Sequence, residues 1–366
     1  MFCEEYVKST GEKCTCKYKI VREDGKKVCG RHTKKQLVYK SESKSESKSE
    51  SKSESKSESK SESKSESKIP KPILKWVGGK SQIIQQLLAC FPSEINNYYE
   101  TFIGGGSVLL ALLTYIKEGL ITVTGKIKAY DLNECLVYVY KNIQGHHFEL
   151  YDVLKNIIDE YNSCSALGTI NRKPSSLEEG KTSKESYYYW IRNTFNKNKD
   201  KKSILSSALF IFLNKTCFRG LYREGSNGFN VPYGHYNNPE IINREHLEEI
   251  HNLIQPVLFE CADFKTSMFD IQRTSNSNDF IYLDPPYAPE NSTSFVTYNK
   301  GGFSIDDNIE LFNLIKSLNF KFIMSNADVP FVREHFTNYN IESILCRRAI
   351  NSKNPASKSN EVLIYN

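Results

Sequence analysis

Two rhythms of apolar positions run through the chain from Ile69 onward. Short apolar runs bounded by glycine, proline and polar residues have the length of strands. Longer stretches repeat their apolar positions every three to four residues, as core-facing helices do. Residues 97–103 read as a strand, Gly104-Gly105-Gly106 as a tight loop, and 107–116 as a helix. A second strand is expected over 126–130, with a helix over 133–143 behind it. Residues 280–283 form a strand ending in Asp284-Pro285-Pro286-Tyr287. A helix over 306–318, a strand over 321–324, a helix over 329–336 and closing strands over 341–350 and 361–365 follow. Alternation of this kind predicts an α/β domain with a mainly parallel sheet. From His146 to about Pro256 the rhythm breaks into mostly helical, polar and aromatic sequence, read as a domain, 146–256, inserted between two halves of one α/β fold.

The first 68 residues follow neither rhythm. Residues 41–68 are seven copies of Ser-Glu-Ser-Lys without an apolar side chain. Nothing there offsets the entropy of ordering, so a disordered linker is expected, although its Glu and Lys residues would allow a transient helix. The chain therefore reads as a head, 1–40, a linker, 41–68, and a globular block, 69–366. No run of 18 apolar residues predicts a membrane span, and no apolar run behind a basic start predicts a secretory signal, so an intracellular, reducing compartment is expected.

Charge sharpens this division. The net charge is +6, yet residues 1–40 carry 11 basic and 5 acidic side chains, and residues 69–366 carry 31 of each. The excess belongs to the head, which argues against a uniformly basic nucleic-acid coat protein. Inside the neutral block, residues 187–236 concentrate Arg192, Lys197, Lys199, Lys201, Lys202, Lys215, Arg219 and Arg223 against Asp200 and Glu224. Aromatic residues from Tyr187 to Phe229 are interleaved with them. Phosphate contacts from lysine and base-edge contacts from arginine are the physical use of such a tract, and an ordinary solvated basic face is the alternative. Of the ten cysteines, Cys3, Cys14, Cys16 and Cys29 lie in the head. The other six are scattered and read as reduced and structural.

Four constellations carry chemistry. In Tyr99-Glu100-Thr101-Phe102-Ile103-Gly104-Gly105-Gly106-Ser107, the glycines let a backbone approach a ligand and the following helix offers free N–H groups. A tight turn without a ligand is the other reading. Ala129-Tyr130-Asp131-Leu132-Asn133 places a carboxylate at a strand end, where ribose hydroxyls can be held, or else a helix cap. In Leu283-Asp284-Pro285-Pro286-Tyr287, two prolines stiffen the backbone and remove two donors. The Asp284 carboxylate and the Pro285 carbonyl remain as fixed acceptors. They suit an exocyclic amino group with two hydrogens, and Tyr287 offers a face for a base. Finally, Pro72-Ile73-Leu74-Lys75-Trp76-Val77-Gly78-Gly79-Lys80 sets an indole beside a Gly-Gly-Lys turn but lacks the leading glycine of a phosphate-binding loop. Trp76 could stack on a purine and Lys80 could approach a carboxylate or phosphate, or the pair could be a buried Trp with a surface Lys.

The order of Lys75 to Lys80, Phe102 to Ser107, Tyr130 to Asn133 and Asp284 to Tyr287 resembles the Dam-like DNA adenine methyltransferases. So do residues 212–223, 228–234, 324–328 and 347–350, so the likeness covers about 69–366. The resemblance implies a Rossmann-like, S-adenosylmethionine-dependent α/β domain with an inserted, mainly helical target-recognition domain. It implies methyl transfer to the exocyclic amino group of a flipped-out adenine in double-stranded DNA, within GATC. Trp76, Lys80, Phe102, Gly104, Gly106, Asp131 and Asp284 would contact the cofactor. Asp284, Pro285 and Tyr287 would be catalytic, and Lys75, Arg219, Arg223 and Tyr236 would contact DNA. Arg219 and His235 depart from the enterobacterial members, which have Asn and Arg there, so the target could be an altered one. A monomer is expected, with a cognate restriction endonuclease as a possible partner. A catalytically silent DNA-binding relative and a cytosine-N4 methyltransferase stay open as alternatives.

In the head, Cys3, Cys14, Cys29 and His32 end in a Cys-x2-His half-site usual for tetrahedral zinc. So short and polar a segment has too little core to fold without a metal or disulfide, and the competing expectation is a disordered basic tail.

Overall fold

A computed structural model describes residues 68–165, 168–289, 302–347 and 358–366, together with the backbone of two short head segments. The chain divides into two units, Met1–Lys64 and Ser65–Asn366. In the first, Ile20–Val21 pairs antiparallel with Lys27–Val28. Cys3, Cys14, Cys29 and His32, and the Ser-Glu-Ser-Lys repeats up to residue 67, lie outside the described residues.

The second unit is built on a seven-stranded sheet. Its strands in chain order are β1 (Tyr98–Glu100), β2 (Ile127–Asp131), β3 (Val257–Cys261), β4 (Phe280–Leu283), β5 (Lys321–Ala327), β6 (Asn340–Arg347) and β7 (Lys358–Tyr365). The spatial order is β6-β7-β5-β4-β1-β2-β3. Strands β5, β4, β1, β2 and β3 run parallel, and β7 inserts antiparallel between β5 and β6. All four residues of Phe280-Ile281-Tyr282-Leu283 are buried, as expected for a parallel strand covered on both faces. Alternate residues feed two cores. Tyr98, Phe280 and Tyr282 pack into one, and Tyr99, Ile281 and Leu283 into the other.

Among the described residues of this unit are ten α-helices: α1 (Ile84–Ala89), α2 (Ser107–Lys117), α3 (Glu134–Ser163), α4 (Leu177–Gly180), α5 (Lys184–Lys197), α6 (Ile204–Thr216), α7 (Arg244–Leu253), α8 (Phe264–Thr274), α9 (Ile305–Lys316) and α10 (Pro330–His335). Helices α3 to α7 all lie in the connection from β2 to β3. The helix expected over 133–143 continues to Ser163 through a kink at His146, whose φ of −142° is not helical. Asn133 caps it, accepting the Leu136 N–H at 3.1 Å. Helix α6 is apolar nearly all round and serves as the hub against which α3 and α5 pack. The core around α2, α3 and α6 is continuous with one face of the sheet.

The strand expected over 97–103 stops at Glu100, because Ile103 N–H turns to the Tyr130 carbonyl at 2.9 Å and opens the glycine loop. The strand expected over 341–350 runs from Asn340 to Arg347, and residues 348–350 lie outside the described part. Strand β7 begins at Lys358, three residues before the expected start.

This topology has one switch point. From β1 the chain proceeds outward through β2 to β3, then returns to the other side of β1 for β4 and β5. Connections thus leave β1 and β4 in opposite directions and open a crevice beyond their carboxyl ends, where open α/β sheets bind ligands.

Candidate active site

The crevice is a cavity of about 1040 Å³ whose walls include Trp76, Phe102, Asp131, Asp284, Pro285 and Tyr287. Three of the sequence constellations reach it because three parallel strands, β1, β2 and β4, end at the same edge. The fourth, 72–80, crosses over that edge.

The glycine loop is shaped first by its neighbours. Gly104 has φ +48°, and a Cβ there would lie 2.7 Å from Trp76 Cδ1. Gly106 has φ +71°, and its Cβ would lie 2.6 Å from the Tyr140 hydroxyl. Side chains are therefore refused twice over, by backbone conformation and by contact. Asp131 anchors the loop to the end of β2. Its Oδ2 accepts the Gly104 N–H at 3.0 Å and its Oδ1 accepts the Asn133 N–H at 2.9 Å. Burial still raises the Asp131 pKa to about 6, against the lowering effect of those bonds. Ser107 Oγ accepts the Lys80 N–H at 3.1 Å, which ties the 72–80 segment to the start of α2.

Lys80 is 3% exposed, and its ammonium lies 2.6 Å from Asp284 Oδ2 and 2.5 Å from the Gly78 carbonyl. Lys80 is therefore a buried lysine, not a surface one, and the carboxylate it meets belongs to the chain itself, Asp284. Burial raises the Asp284 pKa to about 6, and the Lys80 charge and hydrogen bond limit the rise. The loop that follows is held by Asn326, whose Oδ1 accepts the Ala288 N–H at 3.0 Å. Tyr287 donates to Glu361 Oε2 at 2.7 Å, and Lys80 Nζ lies 5.1 Å from the centre of its ring. Beneath them, Glu100 is 1% exposed and accepts the Tyr98 hydroxyl at 2.8 Å. Burial raises its pKa to about 8, so it is mainly protonated at neutral pH.

A second group of residues borders the cavity mouth. Lys75 Nζ lies 4.2 Å over the Tyr236 ring, and the Tyr236 hydroxyl is bonded to the backbone of Arg219. Arg219 and His235 both adopt left-handed backbone, with φ +58° and +51°. Such conformations cost free energy in non-glycine residues and are kept where surrounding structure over-determines them. Here the Cys217–Tyr233 bridge and the Gly234 N–H to Thr216 carbonyl bond at 2.9 Å clamp the two turns together. Asn214 does the same for the lysine. It accepts the Lys75 N–H at 2.8 Å, and its own amide donates to the Lys75 carbonyl at 2.8 Å and the Gly220 carbonyl at 3.3 Å. Lys215 lies partly buried beneath Lys75. Burial first, and the Lys75 charge second, lower its pKa to about 8. Arg223 directly precedes a short hairpin in which Glu224–Gly225 pairs antiparallel with Gly228–Phe229, and it donates through Nε to Asn230 Oδ1 at 2.6 Å. Trp76 stacks on Tyr222 at 5.7 Å between ring centres, joining this surface to the glycine loop.

The structure thus gathers Trp76, Lys80, Phe102, Gly104, Asp131, Asp284, Pro285 and Tyr287 on one cavity, with Lys75 and Arg219 also in its wall. Gly106 stands just behind, at the cap of α2. Arg223 and Tyr236 are not in its wall: Tyr236 packs against Lys75, and Arg223 follows Tyr222, which is in the wall. Sequence reasoning missed Glu100, Asn214, Asn326 and Glu361 as site residues. Glu100 had a signal, a carboxylate in an apolar strand. Glu361 had none, because only the pairing of β7 with β5 brings it to the cavity.

A family model described as D12 class N6 adenine-specific DNA methyltransferase matches residues 76–350. The Type II methyltransferase M.MjaIII of Methanocaldococcus jannaschii is 36% identical over 310 residues, covering 81% of this chain and 99% of that protein. The Type II methyltransferase M1.LlaDCHI of Lactococcus lactis subsp. cremoris is 30% identical, covering 81% of this chain and 95% of that protein. The DNA adenine methylase of Haemophilus influenzae is 28% identical, covering 79% and 90%.

Proposed function

Because this chain belongs to the D12 class of N6 adenine-specific DNA methyltransferases, we propose that it methylates one adenine turned out of a DNA duplex, within GATC or a close variant of it. The observation that carries this reading is the Asp284–Pro285 turn at the end of β4, opening into the same cavity as the glycine loop and Asp131.

Its walls suit S-adenosylmethionine. The cavity sits at the top of the roughly 300–1,000 Å³ range of small-molecule sites, which leaves room for a nucleobase beside the cofactor. Trp76 and Phe102 present aromatic faces to an adenine ring, and Asp131 is an acceptor for ribose hydroxyls. Thr101 Oγ1 is buried in the same wall with no hydrogen-bond partner among the described residues, as a ligand-binding hydroxyl would be before its ligand arrives. When bound, S-adenosylmethionine supplies an electrophilic methyl group on a sulfonium.

The adenine amino group is a poor nucleophile, because its lone pair is delocalised into the ring. The Asp284 carboxylate and the Pro285 carbonyl accept its two hydrogens and bring the nitrogen toward a reactive geometry. Holding that nitrogen in line with the methyl is then chiefly a matter of position. Lys80 keeps Asp284 ionised and oriented. Tyr287 stacks on the base, which is unreachable while it remains in the helix.

Residues 146–256 act as the target-recognition region. Arg223 reads a base edge and Lys75, Arg219 and Tyr236 contact DNA around the opened pair. Two relatives are named Type II methyltransferases, which supports a restriction endonuclease of the same specificity as a partner.

The test is to methylate unmodified genomic DNA with the purified chain and map modified bases by sequencing. One enriched motif bearing N6-methyladenine is expected, with GATC foremost. Modified cytosine, or adenine methylation without a motif, would overturn the reading.

A further inference from the structure

Tyr287 is held at its far end. Its hydroxyl donates a 2.7 Å hydrogen bond to Glu361, which enters from β7, 74 residues further along the chain. Glu361 is paired across the sheet with Ala327 of β5 on one side and Ile344 of β6 on the other, so its backbone is fixed from both flanks. The same hydroxyl also reaches Asp284, and the Lys80 ammonium stands 5.1 Å from the ring centre, itself bonded to Asp284 and the Gly78 carbonyl. The plane of a tyrosine ring is set by two side-chain torsions, and the second of these is soft. A ring that is to stack on an incoming base gains from having that plane settled beforehand.

A carboxylate at this position carries a cost. Its negative charge lies close enough to Asp284 and Cys346 to raise the pKa of both, and so opposes ionisation of the acceptor that the reaction needs. The compensating gain is a charge-assisted bond to the phenol, stronger than a neutral acceptor would make.

We propose that Glu361 is a positioning residue for methyl transfer: by accepting the Tyr287 hydroxyl it fixes the ring plane on which the target adenine stacks, and so sets the approach of the amino group to Asp284. This rests on Tyr287 being the stacking residue.

The test is a double-mutant cycle of Tyr287→Phe and Glu361→Ala, read as single-turnover methylation of a short duplex containing the target. Each single change should slow the chemical step about tenfold with little change in KM for DNA, and the double variant should be no slower than the slower single. Glu361→Gln, which keeps an acceptor, should retain most of the rate, and its acid limb should move to lower pH because a charge beside Asp284 has gone. Losses that multiply in the double variant would overturn the proposal, as would an unchanged rate in Tyr287→Phe. That variant alters no strand, so an unchanged rate in it overturns the proposal even if Glu361→Ala folds poorly, while Glu361→Gln, which leaves the phenol's contact with Asp284 in place, separates the two partners of the hydroxyl. Failure of the stacking reading is a separate outcome. A duplex with 2-aminopurine in place of the target adenine would then give the same fluorescence with Tyr287→Ala as with the unaltered protein.

Discussion

At the scale of single residues, burial decides the protonation of the carboxylates at the cavity. Asp284 is the stronger acceptor when ionised, and burial raises its pKa to about 6, so methyl transfer should fall as pH drops through that value. Lys80→Met removes the charge that limits the rise, and the acid limb of kcat/KM should move to higher pH. An unmoved limb would show that another group controls it. Glu100 predicts the opposite kind of pH effect, on stability. Its pKa rises on folding from an ordinary 4.5 to about 8. The native state therefore holds this proton more tightly than the unfolded chain. The stability so contributed is fully present below the ordinary range and is lost as pH rises through about 8. The thermal unfolding midpoint should drop between about pH 5 and 8 and level off above that, and Glu100→Gln, which cannot ionise, should flatten that drop. Glu100 was legible as an oddity in an apolar strand, but its bond to Tyr98 was not, because the two share a face only once the strand is formed.

At the scale of elements, pattern alone located β1, β2, β4, β5, β6 and β7, helices α2, α9 and α10 and the first part of α3. Helix α1, strand β3 and helix α8 escaped it. Strand β3 is an edge strand of five residues with Leu258 exposed and Phe259 buried, too short and mixed to stand out beside the helical sequence before it. The glycine loop shows where reasoning by type stopped short. Its glycines read as room for a ligand, and the structure adds that Trp76 already occupies the space above Gly104. Gly104→Ala should therefore destabilise the protein by about 1–3 kcal/mol through left-handed strain and contact with the indole. It should also weaken S-adenosylmethionine binding by calorimetry at least tenfold, because the loop and Trp76 must separate. Full affinity in that variant would show that the loop does not pack on the cofactor.

At the scale of the whole molecule, the charge arithmetic of the globular block conceals its working surface. Equal numbers of acidic and basic residues give a neutral sum, while Lys75 and Arg219 stand in the cavity wall, with Lys215 beside Lys75. Two kinds of contact should separate by measurement. Lys75→Ala should weaken binding across all sequences and reduce the dependence of log affinity on log salt by about 1. Arg223→Ala should cost about 1–3 kcal/mol on the cognate duplex and less on a duplex changed at one base pair, relaxing specificity there. Titration of labelled duplexes at several salt concentrations reads both, and equal losses on every sequence for Arg223→Ala would remove it from base reading.

What the sequence determined by itself is the kind of chemistry and the class of fold. Proline pairs, glycine runs and a carboxylate at a strand end constrain the local backbone, and local backbone is encoded over a few residues. Hydrophobic period likewise declares strand or helix within one element. The tertiary structure alone decided which motifs share a cavity, which carboxylate Lys80 meets, that Asn214 clamps Lys75 to the turn bearing Arg219, and that Glu361 reaches Tyr287. Each of these pairings spans more than a few residues of chain, and for Lys80 and Asp284 the gap is 204. They follow from strand order and register, which long-range packing sets and no local stretch of sequence records.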